Sequence, residues 1–421
     1  MFNIFNKNKL SREEKEFNKQ FASGENDMIL SKNLRKDLNN RNLNNNVCVI
    51  GQAGTGKGRS FIMPNLLQAN SNFVVFEGYA HEHAQIAKFL EQQKGYNIQI
   101  FDLQNIENSL HYNPFDFINN EGDINRLLDC LYDNIESNGD FFDKMEKMLI
   151  KLSIFFLMEK NEKVTFLNIY NFLENTSALN TRDFYKIFEE IEKTNPKSKC
   201  AYLAKTIKQV AEKRRTSSSI DAANKIYPFT NHFGKILNDT NLNINALIDS
   251  KAALFIIEPV FKEPLHPIIA MLYSEIFKQL NQYVKEKGRL PYHVQFIMDE
   301  FANMCYLREF DYLIAGSRHK NMDFTLLIQS ISQLKAKFPD TWKIILDCCD
   351  IKIFLGASSH ETLNYFCNLI KQNITINDLK TMNMSDCIVF THKTSGILCD
   401  KYILEEHPDY QNVIKVNTQC N

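Results

Sequence analysis

The chain has 421 residues, 44% of them hydrophobic and 24% charged, with a formal net charge of -1. That composition excludes a disordered chain, and the length calls for one large domain with an insertion, or two domains. The near-zero charge excludes a global pull on nucleic acid or anionic lipid, so any such binding must come from local patches.

Ten cysteines without a CxxC pair fit a reducing cytoplasm, and Cys348 and Cys349 read as buried structural thiols. The opening MFNIFNKNKL lacks the apolar stretch of a secretion signal. The greasiest run, Met148 to Met158, is broken by Lys151 and Ser153, whereas a membrane span needs about 20 mostly apolar residues.

In chain order, residues 1–43 are rich in Asn, Lys and Arg and read as a loosely packed arm. Residues 44–120 carry three strand-like apolar runs, Asn46 to Gly51, Phe73 to Glu77 and Ile98 to Asp102, with a helical stretch over Glu82 to Gln93. Residues 121–212 show no strand pattern. Leu127, Leu128 and Leu131, then Phe155, Phe156 and Met158, recur at helical spacing and predict an inserted all-helical domain. Residues 213–421 return to strands at Ala253 to Glu258, Val294 to Asp299, Phe324 to Gln329 and Ile351 to Gly356, with a helix over Pro267 to Lys287. Continuous apolar runs, not alternating ones, belong to parallel strands covered on both faces. The fold class is therefore α/β, a mainly parallel sheet plus the all-helical insertion.

Gly51, Gln52, Ala53, Gly54, Thr55, Gly56 and Lys57 follow the first of these strands and precede a helix, the context that makes a GxxxxGK match a phosphate-binding loop. Its glycines let backbone N–H groups turn inward, and Lys57 brings charge to the β- and γ-phosphates of a nucleotide such as ATP. Gly58 and Arg59 complete the segment. Gly58 stands where a Ser or Thr hydroxyl normally touches Mg²⁺, so nucleotide binding is better founded than hydrolysis.

Asp299 and Glu300 close the run VQFIM, which places two carboxylates at a strand's C-terminal end, where the loop also opens. Asp299 would hold Mg²⁺ through water and Glu300 would polarise the attacking water; the alternative is an acidic cap on a helix starting at Phe301. Gln329, closing FTLLIQ, suits a γ-phosphate sensor, and Arg318 before that strand suits an arginine finger, although either residue type is commonly a capping or surface group.

Together these segments resemble the type IV secretion coupling proteins, the TraG/TraD-type conjugation ATPases of the FtsK/HerA group. The match rests on GQAGTGKGRSFIMPNLLQAN (51–70), YNPF (112–115), MDEFANM (298–304), LLIQSISQL (326–334) and CDIKIFLG (349–356). The resemblance implies an all-helical insertion in a RecA-like core, tolerance of Gly58, and finger and sensor roles for Arg318 and Gln329. It also implies DNA or a relaxase–DNA complex as cargo, a type IV secretion channel as partner and a homo-hexamer as the active form. Three departures stand out: the chain starts almost at the core without membrane helices, Glu77-Gly-Tyr-Ala-His81 replaces a lysine-bearing motif, and the segment between Gly356 and the C-terminal strands is short. A membrane-anchored partner would then recruit the protein to the inner face of the membrane.

His81 and His83 sit two apart without a third ligand nearby, which argues against a metal site. Lys193, Lys197, Lys199, Lys205, Lys208, Lys213, Arg214 and Arg215 make a basic run that reads as a solvated face or as a DNA contact. The expected function is an ATP-driven coupling motor; the alternative is a nucleotide-binding adaptor that recruits cargo with little turnover.

Overall fold

The structure is a computed structural model and describes residues 11–40, 42–77, 83–136, 140–259, 263–370 and 374–418. Among the described residues eleven strands follow one another: β1 (Met28–Ile29), β2 (Arg35–Lys36), β3 (Val47–Gly51), β4 (Asn72–Glu77), β5 (Asn97–Asp102), β6 (Ala252–Ile257), β7 (Val294–Met298), β8 (Met322–Ile328), β9 (Ile351–Gly356), β10 (Asp386–Thr391) and β11 (Thr394–Asp400). β1 and β2 pair as a small antiparallel ribbon. The other nine form one sheet in the order β11-β10-β9-β3-β8-β7-β4-β6-β5. Its seven central and flanking strands from β9 to β5 are parallel, and the β10–β11 hairpin adds antiparallel to β9.

The strand sequences explain this sheet. In β3, Val47 and Val49 face one apolar layer while Cys48 and Ile50 face the other; in β4, Phe73 and Val75 oppose Val74 and Phe76 in the same way. Both faces are apolar because helices cover both, so the runs do not alternate. One layer holds Phe61, Leu66, Ile86 and Leu90 of the helices after β3 and β4. The other holds Ile268, Leu272 and Phe277 of the helix His266–Lys287 together with the helical region.

That helical region consists of Asp140–Glu159, Phe166–Ser177, Thr181–Thr194, Lys199–Lys208 and Glu212–Ile226. The helix Glu212–Ile226 packs on Asp140–Glu159 and Phe166–Ser177, so the helical layer runs on past the expected limit at 212. The helix Glu121–Tyr132 packs instead on His266–Lys287, against the sheet-covering layer. Arg215 does not join the basic face expected of its neighbours. It is buried, donates to the carbonyls of Thr176 and Leu179, and lies 4.2 Å from the ring centroid of Phe184. Lys193, Lys197, Lys199, Lys205, Lys208, Lys213 and Arg214 are exposed.

The described N-terminal residues are not loosely packed. Ser11 caps the helix Arg12–Phe21 in a capping box with Glu14, and Phe17 and Phe21 enter the core. Asn65 donates to the Ile29 carbonyl at 2.9 Å and accepts from the Ile29 N–H at 2.8 Å, which ties β1 to the helix after β3. A polar, Asn-rich composition concealed these local caps and bridges. The nine described cysteines are free thiols; Cys349 is buried, whereas Cys348 is half-buried. Among the described residues no helix is long and apolar enough to cross a membrane. His81 lies outside the described residues, as does the side chain of His83, and no metal-binding cluster occurs among those that are described.

Candidate nucleotide site

The loop after β3 owes its shape to its small residues. Gly54 and Gly56 adopt φ of 79° and 86°, a region that side chains disfavour. A Cβ on Gly51 would stand 2.4 Å from Thr55 Oγ1 and 3.1 Å from Leu355 Cβ, so only glycine fits there. Thr55 Oγ1 donates to the Gln52 carbonyl at 2.8 Å, which closes the turn. Beyond Lys57 the chain enters a π-helical turn, Gly58–Ile62, before the helix Met63–Leu67. Pro64 has no N–H to give to Ser60, and Met63 bonds to the Gly58 carbonyl at π spacing instead.

Lys57 Nζ donates to the Gly51 carbonyl at 2.7 Å and the Gln52 carbonyl at 3.4 Å. Burial lowers its pKa from the usual lysine range, and the carboxylates of Asp299 and Glu300 oppose that shift. The acidic pair therefore faces the loop, as expected of neighbouring strand ends: β7 adjoins β8 and β8 adjoins β3. Asp299 Oδ1 accepts from the Glu300 N–H at 3.0 Å. Glu300 has φ of 50°, left-handed for a residue with a side chain, a strain of about 1–3 kcal/mol that collects at functional sites. Phe301 pins it in place: its N–H bonds to the Leu327 carbonyl at 2.9 Å and its ring stacks on Phe338. No helix begins at Phe301; residues 299–303 form turns, so the cap reading of the acidic pair does not apply. Gln329 Nε2 lies 3.4 Å from Glu300 Oε1 and completes the group.

A family model described as "Type IV secretory system Conjugative DNA transfer" matches residues 2–411. The chain belongs to that family. A comparison with curated proteins gives no match. Among solved structures, the bacterial conjugative coupling protein TrwBdeltaN70 in its unbound monoclinic form is similar with a TM-score of 0.66 at 12% identity, covering 92% of this chain and 91% of its own. Plasmid coupling protein TrwB in complex with ADP and Mg²⁺ gives 0.64 at 12% identity, with 92% of each chain covered. VirB4 of Thermoanaerobacter pseudethanolicus gives 0.50 at 13% identity, covering 92% of this chain and 99% of that one. The shared fold is that of a P-loop NTPase, and the family links the protein to conjugation by type IV secretion.

In this family member Arg318 does not join the group around Lys57. It lies on the turn Arg318–Lys320 before β8, at the strand's far end from Gln329. A strand of that length separates them by about 20 Å at roughly 3.3 Å per residue. Arg318 lines a cavity of about 600 Å³ with Arg289, His319 and Asp323.

Sequence reasoning missed what stands behind the loop. Gly356, with φ of 122°, ends β9 and accepts from the Gln52 N–H at 3.1 Å. Lys401, just after β11, donates to the carbonyls of Thr55 at 3.0 Å and Leu355 at 3.2 Å. Arg59 pairs with Glu405, both half-exposed. Residues some 350 positions along the chain have no local pattern announcing such contacts. The acids closing β4 and following β6 did carry a signal, a carboxylate at the end of an apolar run: Glu77 and Glu258 are both buried, and His266 Nε2 stands 2.9 Å from Glu258 Oε1.

Proposed function

We propose that the protein is an ATP-dependent coupling motor that delivers DNA or a relaxase–DNA complex to a type IV secretion channel. The observation that carries the reading is the meeting of Lys57, Asp299, Glu300 and Gln329 at the ends of three adjacent strands, β3, β7 and β8. The solved complexes of TrwB with the non-hydrolysable ATP analogue ADPNP and with ADP and Mg²⁺ support a nucleotide with Mg²⁺ as the ligand class.

In this reading the backbone of 51–58 wraps the phosphates, and Lys57 leaves its loop carbonyls for the β- and γ-phosphate oxygens. Asp299 would offer the hard oxygen donor that Mg²⁺ prefers, acting through water, while Gly58 supplies the ion no hydroxyl. Bound there, Mg²⁺ would neutralise phosphate charge. Glu300 accepts the proton of the attacking water and Gln329 orients it. Arg318 reaches a neighbour's nucleotide in a homo-hexamer, since its own site is a strand length away. The exposed lysines between 193 and 213 meet DNA phosphates. A membrane-anchored partner recruits the assembly to the channel.

Gly58 favours a second reading, a nucleotide-binding adaptor with little turnover. Phosphate release by the purified protein, with and without single- and double-stranded DNA, decides between them. DNA-stimulated release supports the motor; ATP binding with no release under any condition supports the adaptor.

A further inference from the structure

Lys401 is 8% exposed, and its two hydrogen bonds go to backbone carbonyls, not to a carboxylate. One acceptor is the carbonyl of Thr55, in the middle of the phosphate loop. That oxygen belongs to the Thr55–Gly56 peptide, whose N–H is among those the loop turns toward a bound phosphate. A cation on the carbonyl side draws electron density through the peptide and strengthens the N–H as a donor on the other side. The second acceptor, the Leu355 carbonyl, precedes Gly356, whose own carbonyl takes the Gln52 N–H. The loop is thereby tied to the end of β9 at two points. Burial lowers the Lys401 pKa, while Cys387 and Asp386 raise it.

The segment that carries Lys401 is itself fastened to the helices after β3 and β4. Glu405 pairs with Arg59, His407 bonds to Gln68 at 3.0 Å, and Asp409 pairs with Lys94 at 2.8 Å. A buried ammonium is costly to desolvate, and hydrogen-bonding to neutral carbonyls offsets only part of that cost. What sets Lys401 apart from the likewise buried Lys36 is its acceptor, a carbonyl of the phosphate loop, whose peptide would present its N–H to a phosphate on the far side.

We propose that Lys401 is a positioning residue of the nucleotide site, acting from behind the phosphate loop to polarise the Thr55–Gly56 peptide and hold the loop open for a di- or triphosphate. The proposal rests on the reading of residues 51–58 as the phosphate loop. Calorimetric titration of the full chain with MgADP tests it, using Lys401→Gln, Lys401→Arg and Lys57→Ala, with each melting temperature recorded without nucleotide. Lys401→Gln should lose about tenfold or more in affinity while melting like the wild type, and Lys401→Arg, which keeps the charge, should recover most of it. If Lys401→Gln binds like the wild type while Lys57→Ala does not, the role of Lys401 is overturned and the phosphate loop stands. If both Lys401 variants lose affinity only in proportion to lost melting temperature, Lys401 is a structural tie and the proposal fails. If Lys57→Ala also binds like the wild type, the phosphate-loop reading has failed and this proposal falls with it.

Discussion

The two ends of the sheet use polar residues in opposite ways. At the N-terminal ends of the strands, buried side chains bond chiefly to the backbone and to one another. Asn46 accepts from the Phe324 N–H at 2.9 Å and donates to the Cys348 carbonyl at 3.1 Å. Asn72 donates to the carbonyls of Leu247 and Ser250 and accepts from the Ala252 N–H. Lys36 is wholly buried, gives its ammonium to Asp37, Asn40 and Asn45, and is pushed down to about 8, mainly by burial. At the C-terminal ends, Lys57 rests on loop carbonyls, Gln329 touches Glu300 at only 3.4 Å, and Glu300 sits in a strained backbone. The first end holds strands in register. The second brings Lys57 and the carboxylates of Asp299 and Glu300 together at neighbouring strand ends, where a charged ligand can meet them.

Arg318 could break this division, because it is an expected catalytic group at the structural end. If it serves a neighbour's nucleotide, Arg318→Ala should lose roughly a thousandfold in DNA-stimulated turnover while one chain still binds ATP normally. Mixing inactive Arg318→Ala with inactive Lys57→Ala should then restore part of the activity, because some interfaces pair an intact arginine with an intact loop. Mixed oligomers without recovery would return Arg318 to the structural end.

Glu300→Gln sharpens the other side of the comparison. Its amide cannot take a proton from water, so turnover should fall by about a hundredfold or more with ATP affinity retained, as read by phosphate release beside calorimetry. Equal loss of binding would mean that Glu300 shapes the site and does not act on water.

Asn46→Ala should do the reverse. It removes the acceptor of the buried Phe324 N–H, while the Cys348 carbonyl keeps Asn44 as a donor, a cost of about 1–3 kcal/mol in a urea titration, with nucleotide affinity per folded chain unchanged. A stability loss below about 0.5 kcal/mol would refute the structural role of that end.

The smallest expected effect concerns His407, which fastens the C-terminal segment near the loop. Its Nδ1 accepts from the Asp409 N–H at 3.1 Å and its ring is neutral, pushed down to about 4 chiefly by burial. The unfolded chain, near 6.5, takes the proton first, so this contribution to stability is present above about pH 6.5 and drains as pH falls toward about 4. Denaturation midpoints between pH 7 and 4 should fall less steeply for His407→Gln than for the wild type. Parallel slopes would remove His407 from the acid response.

Much of this was legible in residue order. Strands from β3 to β9 announced themselves because a strand covered on both faces must be apolar throughout, and the loop and acidic pair because turn chemistry and strand-end carboxylates are local signals. The capped helix Arg12–Phe21 was hidden by its polar surface, and the continuation of the helical layer through Glu212–Ile226 was hidden by a basic stretch that looks the same whether or not one residue, Arg215, turns inward.

The sequence by itself determined the sheet's strands, the loop at residues 51–58 and the carboxylates that end β7, since each depends on neighbours a few positions away. Tertiary structure alone decided that the N-terminal end of β8 lies away from the phosphate loop, that Gln329 meets Glu300, and that Lys401 stands behind Thr55. Those relations depend on strand order and on the direction in which distant segments cross the sheet, and a parallel sheet brings together residues hundreds of positions apart while separating others eleven apart by a full strand length.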